Sequence, residues 1–590
     1  MNPILIEYIS RFKKPESIQF DQFFTQFSLS DYEDKLPFLY DIDKFCIRLK
    51  EAIDKEESIC IYSDYDTDAV TATGTMYWGL IELGVKSEKL DFYAPDRFTE
   101  GYGMNPEAAQ ELSKKYNLVI SVDCGINSVA EAEVFKNTNC DLIITDHHQL
   151  TGLVPDCIAV INPRLSEVYL DRREENKIYL NSSVTGVGVA WFSLVWLAYY
   201  LENETKDPKF EKKRKNLNKL LPFVAIGTIA DCQSILEPTN RLLVRSGLSM
   251  MQLGKCHNIG INEMLRQTGT LEKMTQGYRL SSQDLGYVLS PILNSSGRIS
   301  HARLSISVLL DNDETKVIGL VEQLIETNNQ RKIMVKDILH DVELEAKNQA
   351  DQRAQVIWLE GEWNKGIIGL LASRLVNEYN IPVIITSQED GKIVASSRAP
   401  EGFSLPDAMK QHSTLFEKAG GHPGAAGFSA LPEKLESIKT ALISSLSLQG
   451  KIYKKTQIST ESKAESILPD NLKPYLLKKN TLYIDLEAIT PDLMQETLNL
   501  DPFGQDFPFP QFLFKVTVVS FRWLGSENKH IKIILKNMQT ITIFNLDNEI
   551  KESFLHYSDS LTVWLLAKIS QNTWNNTTKL ELIADKIWHE

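Results

Sequence analysis

At 590 residues the chain is too long for a single core, and at roughly 150 residues per domain it holds three or four domains. Hydrophobic residues at 43% and charged residues at 24% are ordinary globular values and exclude long disorder. A net charge of -15 gives no sign of a nucleic-acid partner. It does not exclude one, because a basic groove can lie on an acidic surface and bound cations can bridge acids to phosphate.

Seven cysteines, all in the first half and without a C-x-x-C pair, read as reduced, mostly buried thiols. They argue against a zinc ribbon or a disulfide framework and for a cytoplasmic protein. The opening "MNPILIEYISRFKK" is charged too early, and its apolar stretch is too short, for a signal peptide. Residues 1–55 are expected to form a helical segment.

From about residue 56 to 230 one pattern repeats: a short apolar strand, a polar loop, then a helical stretch. The strands are "SICIYS", "LDFYAP", "LVISVD", "DLIITD" and "IAVINP", and this alternation predicts a parallel sheet with crossover helices. Ligands of such sheets gather beyond the strands' C-terminal ends. The uncharged stretch Ile178–Leu201 raises a membrane question, but its strongly apolar part, Val187–Leu201, falls short of the roughly 20 residues that cross a bilayer. A buried helix is expected there, and no membrane partner.

Residues 315–350 contain one Gly and no Pro and carry apolar residues at helical spacing, which predicts a long connecting helix over about 311–350. A second α/β domain follows over 351–450, with "AQVIWLE", "PVIITS" and "KIVASSR" as strands. Over 451–590 the texture turns to alternating strands such as "FLFKVTVVSF", "HIKIILK", "TITIFN" and "LTVWLLAKIS", which predict a small antiparallel barrel or sandwich.

The unusual residues lie at the strand ends. In "IYSDYDTDAVTATG", Asp64, Asp66 and Asp68 stand at alternate positions behind "ICIY". If the strand continues, all three point to one face and repel, unless a cation answers them. An EF-hand loop does not fit, since Ala69 stands where that loop turns on Gly and Thr75 where it needs Glu. Asp123 in "SVDCGINS", Asp146, His147 and His148 in "ITDHHQ", and Asp231 in "AIGTIADCQSIL" occupy further strand or helix ends. Alone, Asp123 reads as a turn cap and Asp231 as a helix cap. Together, carboxylates with one or two imidazoles suit Mn²⁺ or Mg²⁺. So many acids require more than one ion, and two ions about 4 Å apart form a clamp for in-line attack on a phosphate ester.

These stretches resemble a known family. "SDYDTDA", "VDCGI", "TDHH" and "GTIADC" are similar to the first four motifs of the DHH phosphoesterases. "ILNSSGR", "SSRAPEGFSL", "GGHPGAAGF", "APDRFTEGYGMN" and "LDPFGQDFPFPQF" resemble segments of its bacterial RecJ branch, exonucleases that degrade single-stranded DNA from the 5′ end. The likeness runs in order from about residue 35 to the C-terminus. It implies an α/β fold: a parallel-sheet DHH domain over 56–310, linked by the long helix to a DHHA1 domain, then an OB-like β-barrel. The two α/β domains would form a cleft too narrow for a duplex.

By the same resemblance, Asp66, Asp68, Asp123, His147 and Asp231 hold two ions of Mn²⁺ or Mg²⁺, with Asp123 as a bridge and Asp64 as a ligand or outer acid. His148 sits beside the scissile phosphate, and Asp146 orients the histidine pair. Arg298 holds substrate phosphate. Ser396, Arg398 and His422 hold it from the second domain, where Gly420 and Gly421 let the backbone approach. Arg97 is a candidate 5′-phosphate contact, and Phe512, Phe514, Phe521 and Trp523 are candidate stacking residues. Two departures stand out: Ala69 replaces a usual Gly, and "PIL" before Asn294 lacks a common Arg.

The resemblance implies single-stranded DNA as substrate, a monomer, a role in DNA repair and recombination, and a single-strand-binding protein and a helicase as partners. Two other readings stay open: a DHH phosphodiesterase for short oligonucleotides or cyclic dinucleotides, and a non-catalytic scaffold that binds single-stranded DNA.

Overall fold

A computed structural model describes residues 2–12, 36–101, 103–169, 179–389, 391–456 and, with short gaps, 469–589. Residues 13–35 of the expected N-terminal helical segment, and Ile178, lie outside the described residues. The chain divides into two compact units: residues 1–293, 302–321 and 464–590 form one, residues 294–301 and 322–463 the other.

The first unit is built on a parallel sheet of β1 (Ile59–Tyr62), β2 (Leu90–Tyr93), β3 (Leu118–Val122), β4 (Asp141–Thr145) and β5 (Ala159–Ile161), in the order β2-β1-β3-β4-β5. All four residues of β1 and all five of β3 are buried, as expected of strands covered on both faces. Strand order reverses between β1 and β3, which opens a crevice beyond their C-terminal ends. Asp64 follows one strand and Asp123 the other.

Three helices bound that crevice: α1 (Thr67–Leu83), α2 (Gly186–Thr205) and α3 (Leu221–Ala230). The uncharged stretch forms α2, capped by the Thr185 side chain accepting from the Gly188 amide, with apolar residues buried all round. Among the described residues no helix is long and apolar enough to cross a membrane. A further helix, α4 (Pro238–Gln252), carries the buried Arg241, whose guanidinium lies over Phe507 and donates to the carbonyls of Leu500 and Pro502.

Those contacts fasten the segment leading into the C-terminal barrel. The barrel strands are β11 (Thr481–Tyr483), β12 (Gln511–Leu524), β13 (His530–Leu535), β14 (Thr540–Ile543), β15 (Leu561–Trp574) and β16 (Thr577–His589). Their order is β11-β12-β13-β14-β16-β15, and a further pairing of β12 with β15 closes the barrel. Buried Asp501 accepts from the Ser282 amide and hydroxyl, and the Gln571 side chain exchanges two hydrogen bonds with the Arg279 backbone.

The predicted long helix is present as α5 (Glu314–Asp351), which crosses the sequence boundary between the units. The second unit's sheet comprises β6 (Ile357–Gly361), β7 (Val383–Glu389), β8 (Lys392–Arg398), β9 (Lys418–His422) and β10 (Ala425–Ala430), in the order β6-β7-β8-β10-β9. Helix α6 (Ile368–Tyr379) packs Ile368, Leu371 and Leu375 against Ile357, Val383 and Ile385 of that sheet.

Candidate metal centre and nucleic-acid interface

The three alternating acids do not continue a strand. β1 ends at Tyr62, Asp64 lies in the following loop, and Asp66 is the N-cap of α1, its Oδ1 accepting from the Ala69 amide at 3.0 Å. Asp68 sits in the first helical turn, where both oxygens accept from the start of α2: Gly186 N–H at 2.8 Å and Val187 N–H at 3.0 Å. Ala69 lies in that same turn, an ordinary helical position for a β-carbon, so the missing Gly carries no backbone penalty.

Asp123 follows β3 in the left-handed region, at φ 59°, with its amide donating to the Thr145 carbonyl. It faces Gly186 so closely that a β-carbon there would stand 2.4 Å from its Oδ1. From the end of β4, His147 places Nε2 3.1 Å from Asp123 Oδ1, 3.6 Å from Asp231 Oδ2 and 3.8 Å from Asp68 Oδ2. Asp231 is the C-cap of α3. Two groupings thus have ligand spacing: Asp123, His147 and His148, and Asp68, His147 and Asp231. His147, rather than Asp123, is common to both. Asp64 and Asp66 lie outside these two groupings.

Asp146 accepts from the amides of Ile126, His147 and His148 and from the His148 ring Nδ1 at 2.8 Å. Its carboxylate therefore orients one imidazole directly and the other through the backbone. Arg164 supports the same turn, its Nε donating to the His147 carbonyl. Arg97 stacks on Tyr65, 4.7 Å from the ring centroid, and Tyr65 stands between the two acids Asp64 and Asp66 in sequence.

The electrostatics call for cations. Burial, then the Asp66 charge, pushes the Asp64 carboxyl up to about 8. Asp68 and Asp123 are held well above the carboxylate range by burial and by neighbouring acids. Burial lowers His147 to about 4, whereas for His148 the Asp146 contact outweighs burial and raises it to about 9. Both ring nitrogens of His147, Asp123 Oδ1 and Asp64 Oδ1 are buried without a hydrogen-bond partner among the described residues. Such orphans are costly unless a ligand meets them. An oxygen-rich set with one neutral imidazole fits divalent Mn²⁺ or Mg²⁺.

The second unit gathers the remaining candidates around the start of α6. A β-carbon on Gly366 would stand 1.9 Å from the Arg298 carbonyl oxygen, and Arg298 Nη1 donates back to the Gly366 carbonyl. A β-carbon on Gly369 would stand 2.8 Å from Ser396 Oγ and 3.0 Å from Arg398 Nη2. Arg398 in turn donates to Ser373 Oγ, Ser396 Oγ and the Ser397 carbonyl. Sheet register aligns Ser396 with Gly427 and Gly420, and Arg398 with Ala425 and His422. Two guanidiniums beside a helix start suit an anion. Gly186, Gly366, Gly369 and Arg164 escaped the sequence reading. Their only trace is a glycine or an arginine of ordinary appearance.

In the barrel, Phe512 and Phe514 are fully buried and belong to the core, because β12 and β15 close the barrel over them. Phe521 and Trp523 share the inward side with Ile533 and Ile531, and Phe521 packs on Phe554. One row aligns across five strands, Arg522, Lys532, Thr542, Ile583 and Lys568; Thr542 in it is buried, and its lysines pair with Glu581 and Asp585. Phe544 and Trp574 of the same domain are exposed.

Residues 58–228 match the DHH family, N-terminal domain, residues 351–447 the DHHA1 domain, and residues 482–586 the RecJ OB domain. The chain is 30% identical over 544 residues to the single-stranded-DNA-specific exonuclease RecJ of Bacillus subtilis, covering 91% of this chain and 62% of that protein. It is 27% identical over 572 residues to the RecJ of Salmonella typhimurium, covering 93% and 90%. The fold matches the crystal structure of RecJ in complex with Mn²⁺ from Thermus thermophilus, with a TM-score of 0.71 and 22% identity, over 100% of this chain and 76% of that one.

Proposed function

Because the chain belongs to the RecJ branch of the DHH phosphoesterases, its DHH, DHHA1 and RecJ OB segments following in that order, we propose that it is a metal-dependent exonuclease that hydrolyses single-stranded DNA from the 5′ end. The observation that carries this is the set of buried, orphaned polar atoms of Asp64, Asp123 and His147 at the β1/β3 crevice, with Asp68 and Asp231 at ligand spacing from His147. Asp66, Asp68, Asp123, His147 and Asp231 would hold two ions of Mn²⁺ or Mg²⁺, with Asp64 as a ligand or an outer acid. Bound there, such ions acidify water and neutralise charge on phosphate oxygens.

The chain's own groups supply the rest. His148, held protonated by Asp146, offers positive charge to the scissile phosphate, and Arg97 on its tyrosine platform takes the 5′-phosphate. Arg298, Ser396, Arg398, Gly420, Gly421 and His422 hold the phosphate backbone. The barrel guides the trailing strand. In this reading 56–310 is the catalytic domain, 311–350 the connector, 351–450 the phosphate-holding domain and 451–590 the strand guide. The enzyme works as a monomer in the cytoplasm, in repair and recombination, with a single-strand-binding protein and a helicase as partners.

A dinucleotide phosphodiesterase would have no use for a closed barrel that matches the RecJ OB domain. Parallel digestion of a single strand, its duplex and a dinucleotide tests the assignment. Degradation of the single strand alone supports it, and cleavage of the dinucleotide alone would replace it with the short-substrate enzyme.

A further inference from the structure

Between Ser282 and Ile299 the chain makes one π-helical stretch, Leu285–Leu289. Such turns are costly and recur where a side chain has to be presented. Here the extra residue is stabilised locally: Ser290 Oγ donates to the Leu285 carbonyl at 2.7 Å, and Leu285 and Leu289 are fully buried. Tyr287, between them, is 83% exposed. The turn packs against residues that flank the proposed metal ligands. Gly286 lies against Ile229, a β-carbon there standing 3.2 Å from Ile229 Cγ2, and Ile229 is two residues before Asp231. The Ser290 carbonyl accepts from Thr67 Oγ1 at 3.1 Å, and Thr67 stands between Asp66 and Asp68.

A tyrosine held out of the protein on a rigid, costly turn beside phosphodiester chemistry is suited to one partner, the flat face of a nucleobase. The geometry points to Tyr287 as a base-stacking residue that positions the substrate strand at the metal centre, deepening the exonuclease reading on which it rests. It acts on the strand by its ring face, so Phe would serve nearly as well.

The test pairs Tyr287→Ala and Tyr287→Phe with single strands carrying one abasic site at each of the first few positions, read as KM and kcat separately with Mn²⁺. Expected is a KM rise of roughly tenfold for Tyr287→Ala, the order of one lost stack, with Tyr287→Phe close to wild type. In wild type one abasic position should cost about as much, and in Tyr287→Ala that penalty should vanish. Unchanged KM in Tyr287→Ala, or abasic penalties that persist in it, would overturn the assignment. Wild-type protein inactive on any single strand would instead overturn the exonuclease reading and this one with it.

Discussion

Asp123 and Gly186 make the tightest demand at the centre, since a β-carbon at residue 186 would press on the very oxygen that lies 3.1 Å from His147. Gly186→Ala should therefore cost activity about 100-fold, as misplacements of this size do, while the thermal unfolding midpoint falls by only a few degrees; parallel kinetics and calorimetry check both. At the second unit, Arg398 uses a rigid fork to reach three oxygens. A Lys cannot reproduce that fork, so Arg398→Lys should raise KM for DNA roughly tenfold with little change in kcat. The clustering of Asp68, Asp123, His147 and Asp231 at ligand spacing was legible because each stands in a short motif at a strand or helix end. Gly186 was not legible, because its constraint comes from a side chain 63 positions away in sequence.

At the scale of elements, the alternation of Asp64, Asp66 and Asp68 reads as a strand but marks a strand-to-helix turn. The N-cap at Asp66 and the amides of α2 at Asp68 take the chain out of extended geometry. Phe512 and Phe514, candidate stacking residues by the resemblance, lie instead in the core, where β12 closes on β15. Alternation gives the two faces of a strand and leaves open which is covered. The parallel sheet, the long helix and the barrel strands were legible because their apolar periods are strong. The fastening of the barrel was not, since it depends on single polar contacts. Of these Asp501 is the test: its removal orphans the Ser282 amide and hydroxyl. Asp501→Ala should lower stability by about 2 kcal/mol, seen as an earlier thermal transition, with kcat on short single strands near wild type.

For the whole molecule, with its net charge of -15, the proposed handling of a polyanion depends on where the acids lie. Several of them are concentrated at one buried centre, which only cations relieve. Asp64, Asp68 and Asp123 have folded-state pKa values above the unfolded ones. Their contribution to stability is complete below the unfolded carboxylate range and is lost as pH rises, for Asp64 through about 8. Chelated protein should thus lose thermal stability between pH 5 and 9, and the stabilisation conferred by Mn²⁺ should grow across the same range. Equal stabilisation at both ends would mean that these acids do not hold the ions.

The most direct test follows a 3′-labelled single strand through time with Mn²⁺, with chelator, and with Asp123→Asn in place of wild type. The account predicts stepwise shortening of the labelled strand and release of 5′-mononucleotides, abolished by chelator and reduced at least about 1,000-fold in Asp123→Asn, as expected when a metal site loses a charged ligand. Degradation that survives chelation, or an Asp123→Asn protein as active as wild type, would contradict it.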